Sequence, residues 1–259
     1  MLQTNTPSSV EHPATAPVDE VVYPDSDGLP ISDNTLQFEY IAILHFGHAY
    51  LFQDDPDVFV ASDVLWYPVE GNNKIRAAPD LMVAFGRPKG YRGSYKQWVE
   101  GGVAPQFVME ILSPGNRHSE MARKSIFYNN HGVQEYVIYD PDLGQLDVMT
   151  RDESGDLEPV EHTNGWKSAL TGVTFFLDGK NLVPVGPDGK KFQSYLEVKA
   201  QEAKERKRAE EAEQRAELEA NRAEQESKRA DEESRLRQEA ENRLAQLLEQ
   251  LRARGIEAA

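Results

Sequence analysis

Gln106-Phe107-Val108-Met109-Glu110-Ile111-Leu112 is a run of strand length in which Glu110 is the one ionisable residue. Its apolar content predicts a strand buried on both faces, and a carboxylate there is costly unless a cation, a metal or hydrogen-bond donors meet it. Working outward, similar short apolar segments lie at Val58–Ala61, Val64–Tyr67, Leu81–Phe85, Tyr136–Tyr139 and Leu146–Met149, separated by turn formers. Asp142-Leu143-Gly144-Gln145 reads as a hairpin turn between the last two. Weaker strands are expected near Val173–Leu177 and Leu182–Val185.

Two helices frame these strands. Ser32, Asp33 and Asn34 are N-cap residues ahead of Leu36, Tyr40, Ile43, Leu44, Gly47 and Leu51, which recur at helical steps up to Asp54-Asp55-Pro56. A second helical segment lies between Asn116 and Gly132, with the glycine as its stop. The pattern predicts a mixed α/β domain with a small mixed central sheet over residues 31–186. Residues 1–30, rich in Pro, Ser, Thr and Asp, read as a disordered N-terminal arm, and 187–198 as a linker. From Lys199 to Arg254 there is no Gly, Pro or aromatic residue, so 199–259 is expected to form a long charged helix with coiled-coil character. Ala209, Ala216, Ala223, Ala230, Leu244 and Leu251 share one heptad phase, while Glu219, Glu226 and Glu233 interrupt the companion position.

Composition narrows the function classes. The 259 residues carry 28 Lys+Arg and 44 Asp+Glu, a net charge of −16, of which the first 196 residues hold −13. Broad non-specific attraction to nucleic acid is disfavoured by such a body, so a nucleic-acid role needs a local basic patch or bound cations. No cysteine is present, which excludes disulfides, thiolate metal sites and a Cys nucleophile. No apolar run reaches the ~18 residues of a membrane span, and the first residues lack a signal-peptide pattern; a cytoplasmic protein is expected.

The chemistry-bearing candidates are few. Asp80 follows Pro79 at the start of a buried strand, and a neighbouring strand would bring it within reach of the ion that Glu110 serves. The competing reading has Asp80 capping a turn and Glu110 paired with a core cation. Lys124 shares a helix face with Glu120 and Tyr128 one turn away on either side, so it can point into an acidic pocket or form a surface pair. Lys74, Arg76, Arg87, Lys89, Arg92 and Lys96 fall in one region, with no acidic residue between Asp80 and Glu100 and with Tyr91, Tyr95 and Trp98 interleaved, as a strand-binding loop would have. His45, His48, His118 and His131 have no metal-box spacing, Ser113 lacks a nucleophile elbow, and no Gly-rich phosphate loop is present.

In order, APDLMVAFG (78–86), GYRGSYKQW (90–98), PQFVMEILSPGN (105–116), EMARKSIFY (120–128) and HGVQEYVIYDPD (131–142) resemble the Uma-type family of restriction-endonuclease-like proteins, once catalogued as a domain of unknown function. That family is a branch of the PD-(D/E)XK nuclease superfamily, and the likeness spans about Ile31 to Val185. The resemblance implies a restriction-endonuclease-like core in which Asp80, Glu110 and the carbonyl of Ile111 ligate a catalytic Mg²⁺, with Mn²⁺ as a substitute. Where the superfamily usually has lysine, two residues after Glu110, this chain has Leu112; Lys124 on the following helix fits the displaced role. Glu39 would be an accessory carboxylate, Glu120 the acidic residue four before the lysine, and Arg87, Lys89, Arg92 and Lys96 contacts to DNA. The implied activity is Mg²⁺-dependent hydrolysis of DNA phosphodiesters, with a homodimer joined through Leu244, Leu247, Leu248 and Leu251. Leu112 and the acidic body keep a second reading open: an inactive nuclease-fold scaffold binding protein partners through its C-terminal coiled coil.

Overall fold

The computed structural model describes residues 21–114 and 118–253. Helix α1 (Thr35–Leu51) leads into strands β1 (Val58–Ala61), β2 (Trp66–Tyr67), β3 (Leu81–Phe85), β4 (Tyr95–Lys96) and β5 (Phe107–Ile111). Helix α2 (His118–Asn130) follows, then β6 (Glu135–Asp140), β7 (Gln145–Arg151), β8 (Leu157–Pro159), β9 (Trp166–Lys167), β10 (Thr174–Asp178), β11 (Asn181–Val185) and helix α3 (Tyr195–Ala253). The main sheet has six strands in the order β1-β3-β5-β6-β7-β8. Only β5 and β6 pair in parallel there, and the crossover such a pair requires is α2. A three-stranded sheet, β11-β10-β9, and the short parallel pair of β2 and β4 complete the body.

Strand parity divides the core. Leu81, Val83, Phe107, Met109, Ile111, Val137 and Tyr139 project to one face, where Tyr40, Ile41 and Leu44 of α1 and Val173, Phe175 and Leu182 of the small-sheet region cover them. Met82, Ala84, Val108, Tyr136 and Ile138 project to the other, against Tyr128 of α2. With both faces covered, every residue of β5 is buried, which is why its sequence shows no alternation. Asp80 and Glu110 share the parity of the α2 face.

The N-cap of α1 is Asn34, whose Oδ1 accepts the Gln37 N–H at 2.8 Å. Its buried face differs from the apolar periodicity: Gln37, Tyr40, Ile41, Leu44 and His48 are enclosed, whereas Leu36 is exposed. Gly47 is required by close approach, since a Cβ there would lie 2.1 Å from the Phe192 ring. Gly132 ends the α2 turn at φ 96, a left-handed conformation that favours glycine.

Three boundaries differ from expectation. Of the expected disordered arm, residues 1–20 lie outside the described residues, but 21–27 are strapped to the body. Tyr67 Oη donates to the Pro24 carbonyl at 2.8 Å, Asn73 Nδ2 to that of Val22 at 2.8 Å, and the Tyr23 ring packs on Tyr67 and Trp98. An aromatic anchor and backbone hydrogen bonds outweigh the polar composition. The expected 187–198 linker is shorter, because Phe192 packs on the core and its N–H donates to Pro184 O at 2.8 Å. The helix then begins at Tyr195 rather than Lys199.

The described residues fall into two units, divided between Ser194 and Tyr195. Within the second, α3 is exposed at every described side chain, and ion pairs such as Lys228–Glu224 (2.6 Å) and Lys199–Glu202 (2.8 Å) support it. Among the described residues, no helix is long and apolar enough to cross a membrane.

Candidate active site

Asp80 precedes β3 and Glu110 lies near the end of β5, and the antiparallel β3–β5 pairing puts the two strand ends side by side. Asp80 Oδ2 accepts the Ile111 N–H at 2.7 Å. Glu110 is 2% exposed and engaged at both oxygens. Lys124 Nζ donates to Oε2 at 2.8 Å and Tyr128 Oη to Oε1 at 2.5 Å. The (i, i+4) spacing on α2 makes this two-point grip possible. Asp80, Glu110, Lys124 and Tyr128 therefore converge, and the Glu110–Lys124 ion pair is the core-cation pairing that the competing reading expected for Glu110.

The electrostatics are unbalanced. Burial, reinforced by the Glu110 charge, pushes the Asp80 carboxyl up to about 8, against the smaller opposing pull of the Ile111 N–H and Lys124. Burial works against the Lys124 ammonium, but the charge and hydrogen bond of Glu110 more than offset it, and its pKa rises. Lys124 is thus a fixed cation that compensates one carboxylate, and Asp80 is left without a counter-charge.

Two further residues belong here that the sequence did not mark. Gln37, buried on α1, donates its Nε2–H to the Ile111 carbonyl at 2.8 Å and accepts the Asp33 N–H at 2.8 Å through Oε1. A carbonyl has two lone pairs, so the Gln37 bond alone does not exhaust the Ile111 oxygen. Asp63 follows β1 at φ 53, the only non-glycine residue with positive φ among those described. Its N–H donates to Pro79 O at 2.9 Å, next to Asp80. Burial first, then Asp27 and Glu110, raises the Asp63 carboxyl, with Lys124 opposing. A polar residue on a buried helix face was the available signal for Gln37; Asp63 had none, because the turn that places it depends on Pro79.

Glu39, expected as an accessory carboxylate, is exposed on α1; the side chain that reaches the site from this helix is Gln37. Glu120 is exposed but acts on the Lys124 charge.

The basic loop is largely committed to itself. Arg92 Nε lies 2.5 Å from Glu100 Oε1 and Arg87 Nε 3.2 Å from Oε2, while the Arg92 guanidinium covers the Phe59 ring at 4.1 Å. Lys89 Nζ donates to the carbonyls of Phe52 (2.5 Å) and Gln53 (2.6 Å). Lys96 stands over the Tyr23 ring at 5.4 Å. Of the interleaved aromatics, Tyr95 is core, Trp98 packs on Tyr23, and Tyr91 is 96% exposed. Glu100, at the end of the acid-free stretch, is what turns a patch of cations into a clamp. It holds Arg92 chiefly by hydrogen bonding, which lowers its own carboxyl pKa.

The donor set suits a hard divalent cation. Two carboxylates and a carbonyl oxygen, completed by water and substrate oxygens, are the ligands Mg²⁺ commonly takes. The buried Asp80–Glu110 pair has one lysine partner, on Glu110, so a divalent cation there would supply the missing positive charge. No cluster of three or more His, Cys, Asp or Glu side chains suited to a metal exists among the described residues.

A family model described as "Uma2: Putative restriction endonuclease" matches residues 28–176. The crystal structure of a nuclease, described as putative and as belonging to DUF820, from Anabaena variabilis is 13% identical. That alignment covers 52% of this chain and 73% of that one at a TM-score of 0.40. No curated protein matches.

Proposed function

Because the chain belongs to the Uma2 restriction-endonuclease family, we propose that it is a divalent-cation-dependent endonuclease that hydrolyses phosphodiester bonds in DNA. The observation that carries this reading is the buried Asp80–Glu110 pair, in which Lys124 compensates one carboxylate and burial holds the other up to about 8. Such an arrangement is destabilising in a purely structural role and useful where a cation and an anionic substrate arrive together.

Asp80, Glu110 and the Ile111 carbonyl would hold the cation, which would be Mg²⁺ or Mn²⁺. Bound there, a divalent ion supplies a water of lowered pKa and neutralises charge on the phosphate. Lys124 stays protonated, so it serves as a fixed positive charge that steadies the phosphoryl oxygens rather than as a base. Tyr128 fixes the Glu110 rotamer from the other oxygen, and Gln37 fixes the Ile111 peptide. Of the basic residues, Lys74 and Arg76 are exposed and would be the ones to meet a DNA backbone, since Arg87, Lys89 and Arg92 are tied to the body and Lys96 covers the Tyr23 ring.

Purified full-length protein is expected to nick or cut DNA with Mg²⁺ or Mn²⁺ and not with EDTA. Asp80→Ala and Glu110→Ala should each abolish cleavage while the circular dichroism stays native. A wild type that binds neither ion and leaves varied DNA substrates intact would refute the proposal in favour of an inactive nuclease-fold scaffold, the reading favoured by Leu112 and by the internally bound arginines.

A further inference from the structure

Tyr136 on β6 is 0% exposed, and its hydroxyl has no hydrogen-bond partner among the described residues. It pairs in register with Val108, two residues before Glu110 and on the same sheet face. Its ring packs edge-on against Tyr128 at 4.8 Å between centroids. The phenol lies on the sheet face that also carries Glu110, near enough for the charges of Glu110 and Asp80 to act on it. Both Glu110 oxygens are already engaged, by Lys124 and Tyr128, so the pocket contains two tyrosines of which one is used and one is idle. Packing alone does not explain the hydroxyl, because phenylalanine would fill the same volume without burying a donor that lacks an acceptor. Burial first, and then the charges of Glu110, Asp80 and Glu120, oppose ionisation of the phenol, so it remains a donor at any physiological pH. A neutral donor in an acidic pocket suits an acceptor that arrives with the ligand.

We propose that Tyr136 is a substrate-contacting residue, its hydroxyl donating a hydrogen bond to a non-bridging oxygen of the phosphate that enters the Asp80–Glu110–Lys124 pocket. The proposal rests on the nuclease reading and extends it to a residue on β6. It assigns Tyr128 and Tyr136 different tasks: the first holds a carboxylate, the second waits for the phosphate. A hydrogen bond to a charged oxygen in a buried site is among the stronger kinds, and its loss is read as weaker ligand binding.

Tyr136→Phe in the full chain tests this with three measurements. Calorimetry with Mn²⁺ alone should give the same affinity as wild type within about twofold. Without ligand, the thermal midpoint should be unchanged or higher, because an unused buried hydroxyl has been removed. With Mg²⁺ present, affinity for a single-stranded oligonucleotide should fall about tenfold or more, while a strand with uncharged methylphosphonate linkages binds both proteins alike. A lower midpoint without ligand would overturn the proposal, since the hydroxyl would then have a structural partner. Equal affinity of the two proteins for the phosphodiester strand would overturn it as well, and in a wild type that binds Mn²⁺ and cuts DNA the nuclease reading would survive. If the wild type binds no Mn²⁺ and does not distinguish the phosphodiester from the methylphosphonate strand, both readings fall together.

Discussion

Replacing Asp80 with asparagine should stabilise the cation-free protein, and by an amount that grows with pH. The asparagine amide keeps a side-chain oxygen for the Ile111 N–H while removing the charge that burial and Glu110 both oppose. The folded-state pKa of Asp80 is about 8, against an ordinary value of 3.8. Because it is raised, its favourable contribution is complete below the unfolded value and is lost as pH climbs towards 8. Folding takes up nearly one proton across that interval, so wild type should lose up to ~1.4 kcal/mol per pH unit, or about 4 kcal/mol between pH 5 and 8, relative to the variant. Urea denaturation of both proteins in EDTA, at steps from pH 4.5 to 8.5, measures the difference directly. Asp63 and Glu135, whose carboxyls are also raised chiefly by burial, titrate in both proteins and largely cancel. Adding Mg²⁺ at pH 7.5 should then raise the midpoint of wild type and leave that of Asp80→Asn unmoved. A variant less stable than wild type by a constant amount at every pH would refute the reasoning and make Asp80 a turn-capping residue.

Glu100→Ala should destabilise the body by about 2–4 kcal/mol, since it strands the Arg87 and Arg92 guanidinium groups that the carboxylate clamps; chemical denaturation tests this, and a change below about 0.5 kcal/mol would show the clamp to be dispensable. Of the four leucines of the expected dimer seam, the Leu251 side chain lies outside the described residues, and Leu244, Leu247 and Leu248 are exposed on α3 amid charged residues, where each can contribute ~1.5–3 kcal/mol when enclosed. The full chain is therefore expected to sediment as a dimer or larger and a chain ending at Arg235 as a monomer; equal particle stoichiometry would refute the anchoring role of those leucines.

Much of the body was legible because local rules and global packing agree. Asn34 caps α1, β5 shows no polar alternation because α1 and α2 cover both faces, and Gly132 ends α2 in a conformation that glycine favours. The convergence of Asp80, Glu110, Lys124 and Tyr128 was legible for a similar reason. Strand parity and the four-residue helical repeat are periodic, so spacing alone assigns a face. What spacing could not assign is where a long polar side chain finds its partner. Arg87 and Arg92 look like an open basic patch along the chain, yet both close on Glu100. Glu39 and Gln37 are two residues apart on α1, and the helix's rotation against the sheet, set by Tyr40, Ile41 and Leu44, turns the glutamine inward and leaves the glutamate in solvent. Tyr23 joins a segment of disordered-looking composition to Tyr67 and Trp98. Periodicity along one element determines which face a residue occupies. Charge compensation, aromatic anchoring and the raised Asp80 carboxyl depend on distances between elements, and only the packed tertiary structure decides those.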